Sequence, residues 1–229
     1  YKPVLNDYIK FDSPFYLRVA ERGYDQYRMD GEHPPTDWPF FPLYPLIIRG
    51  IHIVFNLNLP LIGFLLSNIF FLSSLYVIFL ITKEVTGEKK VSEKIILYLL
   101  LFPTSIFFSL VYTESLFLFL SSLVFLFLFQ KQYHWSFLCA ALCAITRVPG
   151  IVLIGIVFFV LLKESNFRPI KIPFRYWVYA LLSLLPLLSF LFFMYYLTGD
   201  FLAPFHENAL NWQRTLSYPW QAYLNFFKT

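Results

Sequence analysis

Residues 95–129, IILYLLLFPTSIFFSLVYTESLFLFLSSLVFLFLF, form one apolar run whose single charge is Glu114. The run is about twice the roughly 20 residues that a helix needs to cross a bilayer. A lone carboxylate at a helix centre in lipid costs about 2.5–3.5 kcal/mol on insertion scales. Two short helices avoid that cost. Ile95 to Val111 is predicted to go across and Thr113 to Phe129 to return, which leaves Glu114 at the turn, near an aqueous face. An acid at the tip of a membrane hairpin points to chemistry at the membrane surface.

The rest of the chain repeats the theme. Residues 135–162 form a second apolar stretch, interrupted by Thr146-Arg147-Val148-Pro149-Gly150. Pro and Gly break a helix, so a cation again falls at the break. Leu59 to Ile81 and Tyr176 to Leu197 read as ordinary membrane spans. Residues 83–94, KEVTGEKKVSEK, read as a charged loop, and residues 163–175 as a basic connection. The expected fold is all-α, a polytopic transmembrane helical bundle. The expected organisation is an extracytoplasmic loop with membrane-surface helices over 1–58, the bundle over 59–197 and a second extracytoplasmic loop over 198–229.

Composition agrees with this class. The chain is 58% hydrophobic, 22% aromatic and 14% charged, where a soluble domain has about 25% charged residues. Mean hydropathy is +0.61. The 29 Phe and 16 Tyr supply interfacial anchors. Cys139 and Cys143, spaced i, i+4 on one helix face, suit helix packing rather than a disulfide or a zinc site. The chain opens without Met in the polar stretch YKPVLNDYIK. It reads as a fragment, with a membrane helix expected before Tyr1 and further chain expected after Thr229.

Within the N-terminal polar segment, Ser13-Pro14 followed by FYLRVAER and Gly23 predicts a short helix. Ser13 suits the N-cap, Pro14 the first turn and Gly23 the stop. Such a helix can lie on the membrane. Lys83, Lys89, Lys90, Lys94, Lys131, Lys163, Arg168, Lys171 and Arg175 share one side if both double segments are hairpins; the acids there are Glu84, Glu88, Glu93 and Glu164. The positive-inside rule makes that side cytoplasmic. Asp12, Glu114, Arg147 and residues 198–229 then face the other side.

That face gathers the chemistry. It carries the carboxylates Asp12 and Glu114, the cations Arg49 and Arg147, and a cluster of His206, Glu207, Trp212 and Arg214. Neither GxGxxG nor GxxxxGK[ST] occurs, so nucleotide binding has no support, and no nucleic-acid partner is expected. HExxH and GxSxG are absent too. What remains is a carboxylate beside the membrane, cations for a lipid phosphate and aromatics for a sugar. This set suits glycosyl transfer from a lipid-phosphate donor.

The same residues carry a family resemblance. FDSPFYLRVAERGY at 11–24 resembles the WDxxHYLxIAxxGY segment of PIG-V-type mannosyltransferases, which are GT-C membrane enzymes. FFPLYPLIIR at 40–49 resembles the family's next segment. FPTSIFFSLVYTESLFLFL at 102–120 is similar to its FPxxFFxxxxYTESLF signature, and TRVPGI at 146–151 to its TRxxG. GDFLAPFHENALNWQR at 199–214, followed by PW at 219–220, resembles GDPLAFxxxQxxWxR…PW. The blocks occur in order and span nearly the whole chain. Phe11 and Phe15 stand where the family has Trp and His, and residues 208–211 hold no Gln.

The resemblance implies a GT-C fold with an extracytoplasmic active site, in a prokaryotic cytoplasmic or an endoplasmic-reticulum membrane. The donor would be dolichyl- or polyprenyl-phosphate mannose, the acceptor a glycolipid or glycan, and the reaction inverting. Asp12 would be the general base, with Glu114 as the second catalytic carboxylate. Arg147 would hold the donor phosphate, with Arg49 or Arg214 as substitutes. Tyr16, Tyr112, His206 and Trp212 would contact sugar or acceptor. The sequence points to no particular cofactor, and a divalent metal fits the reaction type. Structural readings stand beside these roles. Asp12 can be a helix cap, Glu114 a helix-start acid favoured by the dipole, and Arg147 a snorkelling residue or a partner of Glu114. His206 can be a loop residue without a role, and Trp212 and Trp220 interface anchors. A lipid-linked-sugar flippase or small-solute transporter is the competing function, because broken helices with a charge at the break also occur in transporters.

Overall fold

The computed structural model describes residues 8–31, 33–211 and 220–221. Among these, every regular element is helical. The chain divides into two compact units. The first comprises residues up to Gly23 together with Phe40–Phe190, and the second Tyr24–Pro39 together with the chain from Leu191.

The first unit contains α1 (Ser13–Arg22), α2 (Leu43–Phe55), α3 (Leu59–Thr86), α4 (Lys89–Leu101), α5 (Glu114–Phe129), α6 (Tyr133–Ala144) and α7 (Gly150–Glu164). It also takes α8 (Phe174–Thr198) as far as Phe190. α3 and α8, with 28 and 25 residues, are long and apolar enough to cross a membrane. At 1.5 Å per residue each exceeds the roughly 30 Å hydrocarbon thickness. α5 packs along α3 on one side and α6 on the other, and α6 packs on α7. Their shared core holds Val111, Val124, Phe137, Cys143 and Val157, all fully buried. Cys139 and Cys143 are both free and buried in this packing, as small interface residues.

Local chemistry explains where the helices stop. α3 ends on Gly87, whose φ of 71° is left-handed and whose N–H bonds the Lys83 carbonyl at 2.9 Å. Only Gly lacks a steric penalty there. The charged stretch 83–94, expected as a loop, is instead helical except for Gly87 and Glu88. Its Lys and Glu residues are good helix formers, and Lys89 pairs with Glu93 one turn on, at 3.3 Å.

The long apolar run does break, but earlier than expected. α4 stops at Leu101, because Phe102 precedes Pro103 and takes an extended conformation with ψ of 132°. Pro103–Phe108 is a 3-10 turn, so Ile95 to Val111 is not one helix. α5 starts at Glu114, within one residue of the expected return helix. α4 and α5 pack against α3 more than against each other. α6 and α7, by contrast, pack directly across the break at 145–149. Gly150 permits this approach: a Cβ there would stand 2.1 Å from the Cys143 carbonyl oxygen.

α1 is the expected short helix, shifted by one residue at its start. Asp12, not Ser13, holds the cap position. Gly23 ends it as expected, with φ of 84° and an N–H bonded to the Val19 carbonyl at 3.0 Å.

The second unit is built on fully buried Trp38 and Glu207. The Trp38 indole donates to the Asp25 carbonyl at 2.8 Å, and the Asp25 N–H donates to Asp37 Oδ1 at 2.9 Å. These bonds tie Asp25 to Asp37 and Trp38. α9 (Ala203–Leu210) supplies Glu207.

Candidate active site

The site forms where three chain breaks of the first unit meet: the start of α1, the 109–113 segment before α5, and the 145–149 segment before α7. The middle one, Tyr112-Thr113-Glu114, is fixed from several sides. The Asp12 N–H donates to the Tyr112 hydroxyl at 2.7 Å. The hydroxyls of Tyr16 and Thr113 are hydrogen-bonded at 3.2 Å. Ser67 on α3 donates to the Tyr112 carbonyl at 3.4 Å, and the Tyr44 hydroxyl, 2.7 Å from Ser67, donates to the Gly63 carbonyl at 2.8 Å. The Val111 N–H bonds the Tyr8 carbonyl at 3.3 Å. The rings of Tyr16 and Tyr112 meet edge-on at 6.0 Å, and those of Tyr16 and Tyr44 at 5.9 Å. These paired hydroxyls and backbone groups hold the segment in a single geometry.

Glu114 opens α5, where the helix dipole favours an acid. It forms an ion pair with Arg147 from the 145–149 break. The contact involves one guanidinium nitrogen and Oε1. Arg147 has further N–H donors, and none makes a hydrogen bond among the described residues. Its side chain is 39% exposed. Glu114 Oε2 is shut off from solvent and has no partner among the described residues. Burial works against the Arg147 charge. The charge and hydrogen bond of Glu114, aided by Tyr16 and Asp12, outweigh it and hold the guanidinium above its ordinary pKa. Arg147 is therefore a fixed cation.

Asp12 is half-buried. Although it stands at the cap position of α1, its side chain makes no capping hydrogen bond. Among the described residues its carboxylate has no hydrogen-bond or ion-pair partner. It lies within the electrostatic reach of Tyr16, Tyr112 and Arg147. Burial pushes the Tyr16 hydroxyl far above the ordinary phenol range, and burial likewise raises that of Tyr112. Both rings stay neutral.

The structure thus brings Asp12, Tyr16, Tyr112, Glu114 and Arg147 together. Arg49, on α2, is exposed and makes no hydrogen bond or ion pair among the described residues. His206 belongs to the second unit, where its Nδ1 lies 2.5 Å from Asp200 Oδ2 and its side chain is 54% exposed. Trp212 and Arg214 lie outside the described residues. Sequence reading passed over Tyr44, Ser67 and Thr113, which buttress the break. It grouped Glu207 with exposed polar residues, yet Glu207 is buried. Its Oε1 accepts from the Thr36 N–H at 2.8 Å, and both its oxygens accept from Asn211 at 3.1 Å. Among the described residues no group of three or more His, Cys, Asp or Glu side chains is placed to hold a metal ion.

The family model described as mannosyltransferase (PIG-V) matches residues 1–218. The chain belongs to the PIG-V mannosyltransferase family. Among curated proteins, GPI mannosyltransferase 2 of Schizosaccharomyces pombe (strain 972 / ATCC 24843) is 26% identical over 155 residues, covering 66% of this chain and 31% of that protein. The chain spans about a third of the length of this curated relative. No solved structure matches it. The family's match runs through all three breaks that build the site, and through the stretches holding Arg49 and His206.

Proposed function

We propose that this chain carries the reaction centre of an inverting mannosyltransferase. It would move mannose from a dolichyl- or polyprenyl-phosphate donor to a hydroxyl of a glycolipid or glycan. The observation that carries the reading is the half-buried Asp12 carboxylate, without a hydrogen-bond partner among the described residues and within electrostatic reach of Arg147, a cation fixed by Glu114 with N–H donors to spare. In the proposed step the acceptor oxygen attacks the anomeric carbon as its proton passes to Asp12. The bond from that carbon to the phosphate oxygen breaks on the opposite face, which inverts the anomeric centre. The lipid phosphate leaves with the bonding pair, and Arg147 stabilises its charge. Glu114 acts as a positioning residue for Arg147, and Tyr16 and Tyr112 hold the two breaks in register.

The fold we assign is a polytopic GT-C-type bundle, with 1–58 and 198–229 as its extracytoplasmic parts around the 59–197 bundle. Nine of the ten Lys and Arg residues from Lys83 to Arg175, all but Arg147, cluster at or next to the α3–α4, α5–α6 and α7–α8 connections. Glu114 and Arg147 lie at the opposite ends of α5 and α7. The positive-inside rule then puts the reaction centre on the extracytoplasmic or lumenal face. His206, Trp212 and Arg214 are assigned to the acceptor and donor by family resemblance, with Arg49 in reserve.

The test uses the full-length protein in liposomes with radiolabelled polyprenyl-phosphate mannose and a glycolipid acceptor. Label entering the acceptor, lost on Arg147→Ala, supports the reading. Label crossing the vesicle without transfer would make the protein a carrier and overturn it.

A further inference from the structure

The opposite end of the first unit holds a second constellation, one that mannosyl transfer does not use. α7 leads away from Gly150 to Glu164, about 22 Å further on at 1.5 Å per residue. There the N-terminus of α6, the C-terminus of α7, the Pro169–Lys171 turn and the start of α8 enclose a cavity of about 410 Å³. Tyr133, Glu164, Asn166, Lys171, Arg175 and Tyr176 line it. The Tyr133 hydroxyl donates to the Glu164 carboxylate. The Tyr133 and Tyr176 rings meet edge-on at 5.3 Å. The Arg175 guanidinium lies 4.8 Å from the Tyr176 ring centre and donates to the Tyr176 hydroxyl at 3.1 Å. The cavity's acid is thus engaged by a phenol. Neither Lys171 nor Arg175 is ion-paired to a carboxylate among the described residues.

The rim has an equally specific pattern. In FRPIKIPFR, residues 167–175, basic and apolar side chains alternate. Phe167 is 63% exposed, Ile170 95% and Phe174 81%. Exposed apolar side chains interleaved with unpaired cations suit an interface. The apolar groups enter the acyl boundary while the cations meet anionic headgroups. Lys163, Arg168, Lys171 and Arg175 against the single Glu164 leave the 163–175 connection strongly positive.

We propose that this cavity binds the phosphate headgroup of an anionic phospholipid of the surrounding leaflet. Lys171 and Arg175 hold the phosphate, and Ile170 and Phe174 lie against the lipid's acyl chains. The site is separate from the one assigned to the donor phosphate and does not depend on the mannosyl-transfer reading.

The test reads thermal unfolding of the full-length protein in nanodiscs of phosphatidylcholine alone, and of equal parts phosphatidylcholine and phosphatidylglycerol. Phosphatidylglycerol should raise the unfolding midpoint of the wild type. K171Q/R175Q should lose most of that rise. K89Q/K90Q, which removes two cations from α4, should keep it. Inorganic phosphate added to phosphatidylcholine discs should leave the midpoint unchanged. If K171Q/R175Q does not fold, Lys171→Gln alone, at an exposed position of the turn, serves the same comparison and should lose part of the rise. The proposal fails if the rise survives in these variants, or if K89Q/K90Q abolishes it equally, which would indicate diffuse surface charge. It also fails if inorganic phosphate reproduces the rise, which would indicate a soluble-anion site.

Discussion

Asp12→Asn separates a chemical role for this residue from a structural one. The fold holds Asp12 mainly through its backbone N–H, bonded to the Tyr112 hydroxyl at 2.7 Å, and an amide side chain leaves that bond intact. The carboxylate makes no capping hydrogen bond, so the roughly 1 kcal/mol that a working cap contributes is not at stake. Asn has nearly the same size, and Asp12 is only half-buried. The expected stability change lies within about 0.5 kcal/mol, the range of ordinary surface changes. A general base, by contrast, contributes about 10²–10⁴-fold in rate. At 1.36 kcal/mol per decade this is about 2.7–5.4 kcal/mol of barrier. The assay follows radiolabelled mannose from polyprenyl-phosphate mannose into the glycolipid acceptor, using full-length enzyme, with unfolding midpoints in the same detergent. The expected result is a rate loss of two to four decades at an unchanged midpoint. Near-normal turnover would remove Asp12 from the mechanism and leave Glu114 as the carboxylate to pursue. A midpoint that falls in step with activity would make the residue structural.

Arg147→Lys keeps the charge but loses the planar fork that can hold two phosphate oxygens while still bonding Glu114. We expect kcat/KM to fall about 10- to 100-fold, the loss of one charged hydrogen bond, and Arg147→Ala to fall further. Wild-type kinetics in the Lys variant would reduce Arg147 to a nonspecific cation. Gly150→Ala drives a methyl group into the Cys143 backbone, whereas Gly155 on the same helix has open space. The first should destabilise by about 1–3 kcal/mol or more, and the second should be neutral or stabilising, as read by thermal unfolding. Gly63→Ala would set a Cβ 2.5 Å from Val111 Cγ1, next to Tyr112, so activity should drop more than stability. Cysteines placed at 88, 132 and 165, in a background lacking Cys139 and Cys143, should resist an impermeant thiol reagent added outside intact cells. External labelling at 132 would defeat the hairpin topology.

The break at Glu114 was legible because one charge in a long apolar run has few places to go. Its partner in space was legible only as an alternative. Arg147 interrupts the next apolar stretch, and the sequence left it between a phosphate cation, a snorkelling residue and a partner of Glu114. The end of α4 was less legible. Phe102-Pro103 gave a local signal, but the apolar run continues unbroken on both sides of it, and hydropathy outweighed backbone sterics in the reading. The 83–94 stretch was misread in the opposite sense. Its charges suggested a loop, yet Lys and Glu at helical spacing support a helix that projects beyond an apolar span. Tyr44, Ser67 and Thr113 carried no signal, since a hydroxyl becomes informative only once its partner is known. Glu207 was hidden for a related reason: nothing in HENAL says that one acid will be buried and satisfied while the neighbouring His206 stays exposed.

Membrane physics gives a reason for the proposed reaction centre to be built from helix breaks rather than helix faces. A helix interior in lipid has already satisfied its backbone groups, so a charge there gains no aqueous neighbour and pays the full desolvation. A break at the end of a short helix brings a side chain toward the aqueous boundary, where charge is affordable and a polar substrate can reach it. α5, α6 and α7 have 16, 12 and 15 residues, less than a full bilayer crossing at 1.5 Å each. The Glu114 and Arg147 side chains are both partly buried, which makes the Glu114–Arg147 attraction stronger than on an open surface. Water can still reach the site, as the 39% exposure of the Arg147 side chain requires. Lengthening α6 by one turn between Tyr133 and Ala144 should disturb the site without adding or removing a charge. It would shift the Arg147 break by about 5.4 Å relative to Glu114. The pair would separate, and transfer activity should fall at least as far as in Arg147→Ala. If activity survived such an insertion, Arg147 would act without Glu114.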